Sequence, residues 1–445
     1  MQYSTFAAID IGSYDVILEI FEISKKQGIR SVDKICHRME LGKDTYTLGK
    51  IRPEMEEELC RVLADFVRIM EGYRVDDYRA TASSAISEAS NSLYVLGKIH
   101  QLTGLSVTVL SNSEQRFLSY KALAAMEDNF NKIIEKGTAI LDLDGGSFQI
   151  SLFDKDALVT TQNIRMGSLR IRERLAGIQS ETEHYEEMVE ELIWNEVSSF
   201  KKMYLKDRKI ENIMLIGDVF TDSVYQNIEE KTTKIISREN FNTWYEKIIR
   251  QSPMELAVKL GIPLENASLM YPSAVIYKCL IDMMGAEHIW IPGVHMTRGI
   301  AYEYAEQMKL LKGGHNFEND ILMAAKNIGK RYAVNRPHVQ NLEMTALAMF
   351  DATKKMHGMK ERERLLLQMA VMLHDVGKYI SFNNVADSSY NIIMSNEIIG
   401  LSHIEREMVA LIARYNTVTL PSYDELVMES SLSAEQYLTV SELTA

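Results

Sequence analysis

Cysteine is scarce: Cys36, Cys60 and Cys279 are the only three in 445 residues, and none sits in a CxxC pair. Such isolated residues read as buried free thiols in a reducing cytosol, so a cytoplasmic protein is expected. Long apolar runs are missing as well. No stretch reaches the roughly 18 uninterrupted apolar residues of a spanning helix, so no membrane partner is expected. The opening, MQYSTFAAIDIGSYD, has no basic n-region and its apolar run is broken at Asp10, which argues against a signal peptide. Positive charge is in deficit, with 49 Lys and Arg against 62 Asp and Glu and a formal net charge of −13. That balance disfavours binding to a nucleic-acid duplex. A polyanionic substrate would need a local patch of Arg, Lys, metal ions or backbone N–H groups.

What is present is ordinary for a globular chain: 46% apolar and 25% charged residues, with no low-complexity tract. The length suggests roughly two to four domains. Residues 5–23 read as two strands joined by a tight turn at Gly12-Ser13. A helix with a single apolar stripe is expected over 54–73, a strand running into a helix start over 79–91, a strand over 106–112 and a helix over 113–126. The opening pattern then returns in TAILDLDGGSFQISLFD at 138–154, where Asp142 holds the place that Asp10 holds in the first hairpin. Further strands are expected at 213–218 and 288–293, with a helix after Thr297-Arg298-Gly299. Such a repeat implies two facing α/β halves with a ligand cleft between them. Beyond Gly313-Gly314 the strand pattern gives way to amphipathic helices over 338–357, 361–380, 389–397 and 403–414.

Several residues could carry chemistry. Gly12 and Ser13 could cradle a phosphate with the N–H groups of their turn, and Asp142-Leu143-Asp144-Gly145-Gly146-Ser147 adds two carboxylates suited to Mg²⁺. Either loop alone is an ordinary hairpin turn; the pair, equivalently placed in a repeat, favours a phosphate site. Glu114, three residues after Ser111, reads either as a capping box or as a general base orienting water on a terminal phosphate. Arg165, Arg170, Arg172 and Arg174 offer guanidinium forks or a solvated charged face. His338 and the adjacent pair His374-Asp375 read as a hydrogen-bonded structural group or as part of a metal site.

These segments resemble the Ppx/GppA phosphatase family of exopolyphosphatases and guanosine pentaphosphate phosphohydrolases. AAIDIGSYDVILEIFE is similar to that family's opening hairpin, TASSAISEASN to its ATSALREAxN segment, VLSNSEQRFLSY to VISGxEEAxLxY, LDLDGGSFQIS to DIGGGSTEL and MGSLRIRERL to LGAVRLxERF. ERERLLLQMAVMLHDVGKYI resembles an HD-type helical domain. The resemblance implies an α/β fold of duplicated ribonuclease-H-like domains of the actin and acetate kinase type, over residues 1–125 and 126–312, followed by an all-α HD-like domain over 313–445. It also implies Mg²⁺, removal of terminal phosphate from polyphosphate or from guanosine penta- or tetraphosphate, and a homodimer. Glu114 matches the family's catalytic glutamate, Asp142 its Mg²⁺-associated aspartate with Asp10 as counterpart and Asp144 as a further carboxylate, Gly12-Ser13 its first phosphate loop, Gly145-Gly146-Ser147 its second, and Gly217 a later glycine loop. His338, His374 and Asp375 match a remnant of the HD site.

The chain departs from the family at Tyr14-Asp15 in place of Asn-Ser, Ser87 in place of an Arg, Asp144 in place of a Gly, Gln149 in place of a Glu, and Gly217-Asp218 in place of a glycine pair. NNVADSS replaces a His-rich segment. The final residues, SLSAEQYLTVSELTA, fall where relatives run on, implying a trimmed or shortened chain. Three functions are therefore expected as alternatives: an active phosphoric anhydride hydrolase, a catalytically weakened polyphosphate- or nucleotide-binding regulator, or the same fold with a different metal or a less charged ligand.

Overall fold

A computed structural model of the chain describes residues 3–126, 130–155, 157–176, 185–217, 219–227, 234–311 and 315–445. Asp218 and the expected boundary at Gly313-Gly314 lie outside these residues. The chain divides into two compact units, Met1–Ala157 with Gln162–His315 and Leu158–Thr161 with Asn316–Ala445. No helix among the described residues is long and apolar enough to cross a membrane.

Among the described residues, eleven strands form two sheets: β1 (Ser4–Ile11), β2 (Asp15–Ser24), β3 (Gly28–Arg38), β4 (Asp77–Ala82), β5 (Val107–Val109), β6 (Thr138–Leu143), β7 (Phe148–Asp154), β8 (Ala157–Ile164), β9 (Asn212–Gly217), β10 (Ile235–Ser237) and β11 (His288–Trp290). The first sheet has the order β3-β2-β1-β4-β5 and the second β10-β11-β9-β6-β7-β8. Read from β8 inward, the second repeats the first. An antiparallel hairpin, β1–β2 or β6–β7, is joined on its first strand by a parallel neighbour, β4 or β9, and then by β5 or β11. The duplication inferred from the two Asp-containing turns is therefore a duplication of topology, and the fold is the α/β pair of ribonuclease-H-like sheets followed by an all-helical region.

The central strands are apolar on both faces because both faces are covered. Ala7, Ile9, Ile11, Val16 and Leu18 pack with Leu59, Leu63 and Phe66 of the helix Pro53–Gly72. Phe6, Ala8, Phe21 and Ile23 form the opposite core with Ile300, Tyr304 and Ala305 of the helix Met296–Gln307. The Phe6 and Tyr304 rings stack with centroids 4.1 Å apart, a geometry that adds about 1 kcal/mol to the area they bury.

Some local expectations change. The strand expected over 106–112 is only Val107–Val109, since Ser111 turns outward to cap the helix Asn112–Met126. β3 and β8 were not expected; β3 is an edge strand with alternating exposure and no apolar run.

In the helical unit, helices span Phe317–Arg331, Arg336–His357, Glu361–Leu373, Val385–Ser395, His403–Tyr415 and Ala434–Thr444. The helix expected over 361–380 ends at Leu373, and a single 3₁₀ turn follows at Val376–Tyr379. Ser389 Oγ donates to His374 O at 2.7 Å and accepts from Gly377 N at 2.9 Å, satisfying backbone groups that the break exposes. The helix expected over 389–397 begins earlier, at Val385.

Candidate functional site

Asp10 and Asp142 are each the penultimate residue of a hairpin's first strand. Asp10 ladders with Ile17 and Thr81, and Asp142 with Gln149 and Ile216. Their side chains meet at a cavity of about 320 Å³ in the first unit, lined also by Gly12, Asp144, Gly145 and Gly217. Gly217 is fixed by its backbone, with φ of +90° and no room for a Cβ against Leu143 O.

The cavity floor is strongly acidic. Five aspartates line it, Asp10, Asp15, Asp142, Asp144 and Asp222, facing Lys34, Arg38 and His295. Burial pushes the Asp10 carboxyl well above the usual range, and the neighbouring Asp15, Asp144 and Asp142 push it further. Asp144 is raised to about 7 by burial and by Asp142 and Asp15, although Gly145 N–H and Arg170 pull it down. Asp142 is raised by burial against the opposing pull of a Ser119 hydrogen bond and the Arg116 charge. Asp15 is raised by burial, while Cys36, His295 and Lys34 oppose the shift.

Two buried oxygens, Asp10 Oδ1 and Gln149 Oε1, have no hydrogen-bond partner among the described residues. Packed carboxylates, orphaned oxygens and an oxygen-only donor set fit a hard divalent cation such as Mg²⁺.

Other residues of the two turns do not line the cavity. Ser13, fully buried, has its Oγ 2.7 Å from Tyr46 Oη and 3.1 Å from Ser84 Oγ, and Tyr46 Oη lies 2.9 Å from Ser84 Oγ. Three hydroxyls thus close a triangle. Tyr46 comes from the helix Leu41–Leu48 and lies against Gly146 so closely that a Cβ there would overlap its hydroxyl. Arg170 covers the Tyr46 ring at 3.8 Å and donates to Gly146 O at 2.8 Å. Ser147 is buried and likewise outside the cavity lining. Of the residues matched to phosphate loops, Gly12, Gly145 and Gly217 therefore face the cavity, whereas Ser13, Gly146 and Ser147 do not.

Glu114 lies at the start of the helix Asn112–Met126 and closes a capping box. Its Oε2 accepts from Ser111 N at 2.9 Å and from Ser111 Oγ at 2.7 Å. Its other oxygen, Oε1, takes no hydrogen bond among the described residues, and the side chain is not part of the cavity lining. Arg170 and Arg172 are occupied within the fold. Arg170 makes two 3.0 Å bonds to Glu88, and Arg172 binds Glu40 at 2.8 Å and Glu173 at 2.7 Å. Arg165 and Arg174 are exposed away from the cavity.

Sequence reasoning flagged Tyr14, Asp15 and Gln149 as departures, and all three line the cavity. Tyr14 Oη donates to Asn266 Oδ1 at 2.6 Å, joining the first turn to the helix Leu264–Met284. Asp222, His295, Lys34, Arg38 and Arg116 were not singled out by motif. Arg116 could have been noticed two residues after Glu114; the others sit in segments without a turn or repeat signal. His295 Nε2 stands 3.5 Å from Asp222 Oδ1, and burial holds its pKa below the ordinary value.

In the helical unit, His338, His374 and Asp375 are together, each with one ligand atom within 4.8 Å of the others. His374 Nδ1 is 2.8 Å from Val371 O, while Lys378 Nζ holds Asp375 Oδ2 at 2.6 Å.

Comparison with known proteins places these features in a family. The Ppx/GppA phosphatase family matches residues 20–308, and the third domain of Ppx/GppA phosphatases matches residues 322–443. A bifunctional 3-dehydroquinate synthase/phosphatase of Fusobacterium nucleatum is 21% identical over 310 residues, 64% of this chain. The match spans only 44% of that relative's length. A guanosine-5'-triphosphate,3'-diphosphate pyrophosphatase of Vibrio atlanticus is 19% identical over 442 residues, covering 98% of this chain and 85% of that protein. An exopolyphosphatase from Cytophaga hutchinsonii shares the fold with a TM-score of 0.61 at 17% identity, over 68% of this chain and 98% of its own. A Ppx/GppA family member from Aquifex aeolicus does so with a TM-score of 0.57 at 17% identity, over 69% and 99%. Matched over most of its length, and carrying paired aspartates at the ends of duplicated hairpins, the chain belongs to the Ppx/GppA phosphatase family.

Proposed function

We propose that this protein removes the terminal phosphate from polyphosphate or from guanosine pentaphosphate with the help of Mg²⁺. One observation carries the reading: Asp10 and Asp142, equivalent in the repeat, share a cavity in which Asp10 Oδ1 has no partner among the described residues. Family relatives named for exopolyphosphatase and guanosine pyrophosphatase activities support the substrate class. Asp142 and Asp10 would hold the cation, with Asp144 and Gln149 as further oxygen donors. The bound ion supplies charge that offsets the phosphate oxygens. The turns at Gly12-Ser13 and Gly145-Gly146-Ser147 would meet the transferring group through Gly12 and Gly145, beside Gly217, the three glycines whose lack of a side chain lets it approach. Glu114, through Oε1, would orient the attacking water. The same reading divides the chain into ribonuclease-H-like halves at 1–125 and 126–312 and a helical domain at 313–445, in a cytoplasmic homodimer.

A second reading, a catalytically weakened binding protein, is favoured by one specific observation: Tyr46 occupies the hydroxyls of Ser13 and Ser84. Phosphate release from long-chain polyphosphate and from guanosine pentaphosphate, with Mg²⁺, separates the two. Release by wild type that Glu114→Gln lowers by about 100-fold or more is expected. If wild type releases nothing from either substrate, the hydrolytic reading fails. Thermal stabilisation by these ligands without turnover would then support the binding protein.

A further inference from the structure

The cavity has one wall of opposite character to its floor. β3 is the edge strand of the first sheet, and its residues Lys34, Cys36 and Arg38 alternate onto one face, exposed and lining the cavity. The side chains of Lys34 and Arg38 form no hydrogen bond or ion pair among the described residues. The lack is informative because acids stand directly across the ladder, Glu19 opposite Lys34 and Asp15 opposite Arg38. Those acids are engaged elsewhere. Glu19 accepts from Ser31 Oγ at 2.7 Å and from Thr297 Oγ1 at 2.5 Å, and Asp15 accepts from Cys36 Sγ at 3.4 Å. Two cations are thus left at the cavity while their natural cross-strand partners are occupied.

We propose that Lys34 and Arg38 are a docking strip for the non-reacting phosphates of an extended polyanion, which runs along β3 past the acidic floor. The inference rests on the phosphate-hydrolysing reading and names the substrate contacts that reading lacks. Three physical points support it. A net-negative protein must recruit a polyanion through a local cationic surface. The motif arginines do not supply one, since Arg170 and Arg172 are bound to Glu88, Glu40 and Glu173. The Cα atoms of Lys34 and Arg38, four residues apart on a strand, are separated by about 13 Å. That spacing is too wide for one orthophosphate or for adjacent phosphates, and suits well-separated phosphates of a single chain. The strip also lies beside the floor, because Arg38 pairs across the ladder with Asp15, itself a lining carboxylate. In the ladder Asp10 lies level with Cys36 through Ile17, so Lys34 and Arg38 stand on either side of it along β3.

The opposing reading is that both cations merely screen Asp15 and Glu19. The two are separated by calorimetric titration of wild type, Lys34→Gln, Arg38→Gln and the double variant, at fixed free Mg²⁺. Orthophosphate, pyrophosphate and long-chain polyphosphate serve as separate ligands, and Lys34→Arg as a charge-preserving control. Each charge removal should weaken polyphosphate binding roughly tenfold, leave orthophosphate within about twofold and leave the thermal midpoint unchanged; Lys34→Arg should retain wild-type affinity. Equal loss for orthophosphate and polyphosphate, or no loss at all, overturns the proposal, as does failure of wild type to bind the chain. Wild type that binds polyphosphate without hydrolysing it, with affinity lost in the variants, would leave the strip standing and remove the hydrolytic reading.

Discussion

Gly146→Ala probes the packing beneath the second turn. A methyl group there would overlap Tyr46 Oη and stand 2.5 Å from Ser84 Oγ and 3.0 Å from Tyr46 Cζ. Tyr46 is at the end of a long side chain, yet it cannot simply swing aside. Arg170 covers its ring and is itself fastened to Glu88 and to Gly146 O, and two hydroxyls hold its tip. Forcing a methyl into a packed site costs about 1 to 3 kcal/mol. Displacing Tyr46 also breaks hydrogen bonds worth about 1 kcal/mol each. A total near 3 kcal/mol is expected from chemical denaturation of the full chain. Tyr46→Phe alone should cost about 1 to 2 kcal/mol, because Ser13 and Ser84 keep each other at 3.1 Å when the phenol is removed. The double variant is the decisive measurement. Without the hydroxyl, the worst overlap is gone and Ser84 Oγ, at 2.5 Å, is the main atom left to shift, so the double variant should be more stable than the sum of the singles predicts, by about 1 kcal/mol or more. Additivity to within about 0.5 kcal/mol would show that Tyr46 and Gly146 are not locked together and would refute the account.

Cys36 is exposed at the cavity yet should react slowly with alkylating agents at pH 8, because burial and the neighbouring Asp15 charge push its thiol up to about 12. Asp15→Asn should accelerate the reaction, measured by mass spectrometry; fast labelling of wild type would contradict this. In the helical unit, burial raises the Glu405 carboxyl, but the Arg362 hydrogen bonds and charge outweigh it and hold the group below the ordinary value. A lowered carboxyl stabilises above its unfolded pKa and loses that contribution as pH falls through the folded value. Arg362→Gln should therefore cost about 1 kcal/mol at pH 7 and lose less stability than wild type on acidification; an equal acid slope in both proteins would refute it. Metal analysis of the purified protein should find less than one ion per chain attributable to His338, His374 and Asp375, since Lys378 competes for Asp375. A full equivalent lost in His374→Ala would overturn that expectation.

The hairpins were legible because their signal is local: an apolar run, an Asp, a Gly/Ser turn and a second apolar run, occurring twice. β3 was not, for it is an edge strand exposed on alternate residues, and its pairing with β2 is a property of the sheet. The carboxylates Asp10, Asp142 and Asp144 were legible from the same turns. Tyr46 was not, since nothing in LGKDTYTL announces that its phenol will reach Ser13 and Ser84. For Glu114 both readings were written into S-x-x-E, and the structure realises the cap while leaving one carboxylate oxygen over. The arginines near Gly167 were legible as a cluster but not as partners of Glu88 and Glu40, which lie far away along the chain.

The helix Met296–Gln307 closes the sheet with which the chain begins. Phe6 stacks on Tyr304, Glu19 takes the Thr297 hydroxyl, and Arg79 pairs with Glu303 at 2.9 Å. On the ribosome, the first hairpin therefore emerges long before the helix that covers one of its faces. Until that helix has been synthesised, Phe6, Ala8, Phe21 and Ile23 have no partner from it, and the nascent sheet presents an apolar surface to solvent or to a chaperone. A chain stopped before residue 296 should be captured by a holdase in proportion to that exposed face, and one extended through Gln307 should be released.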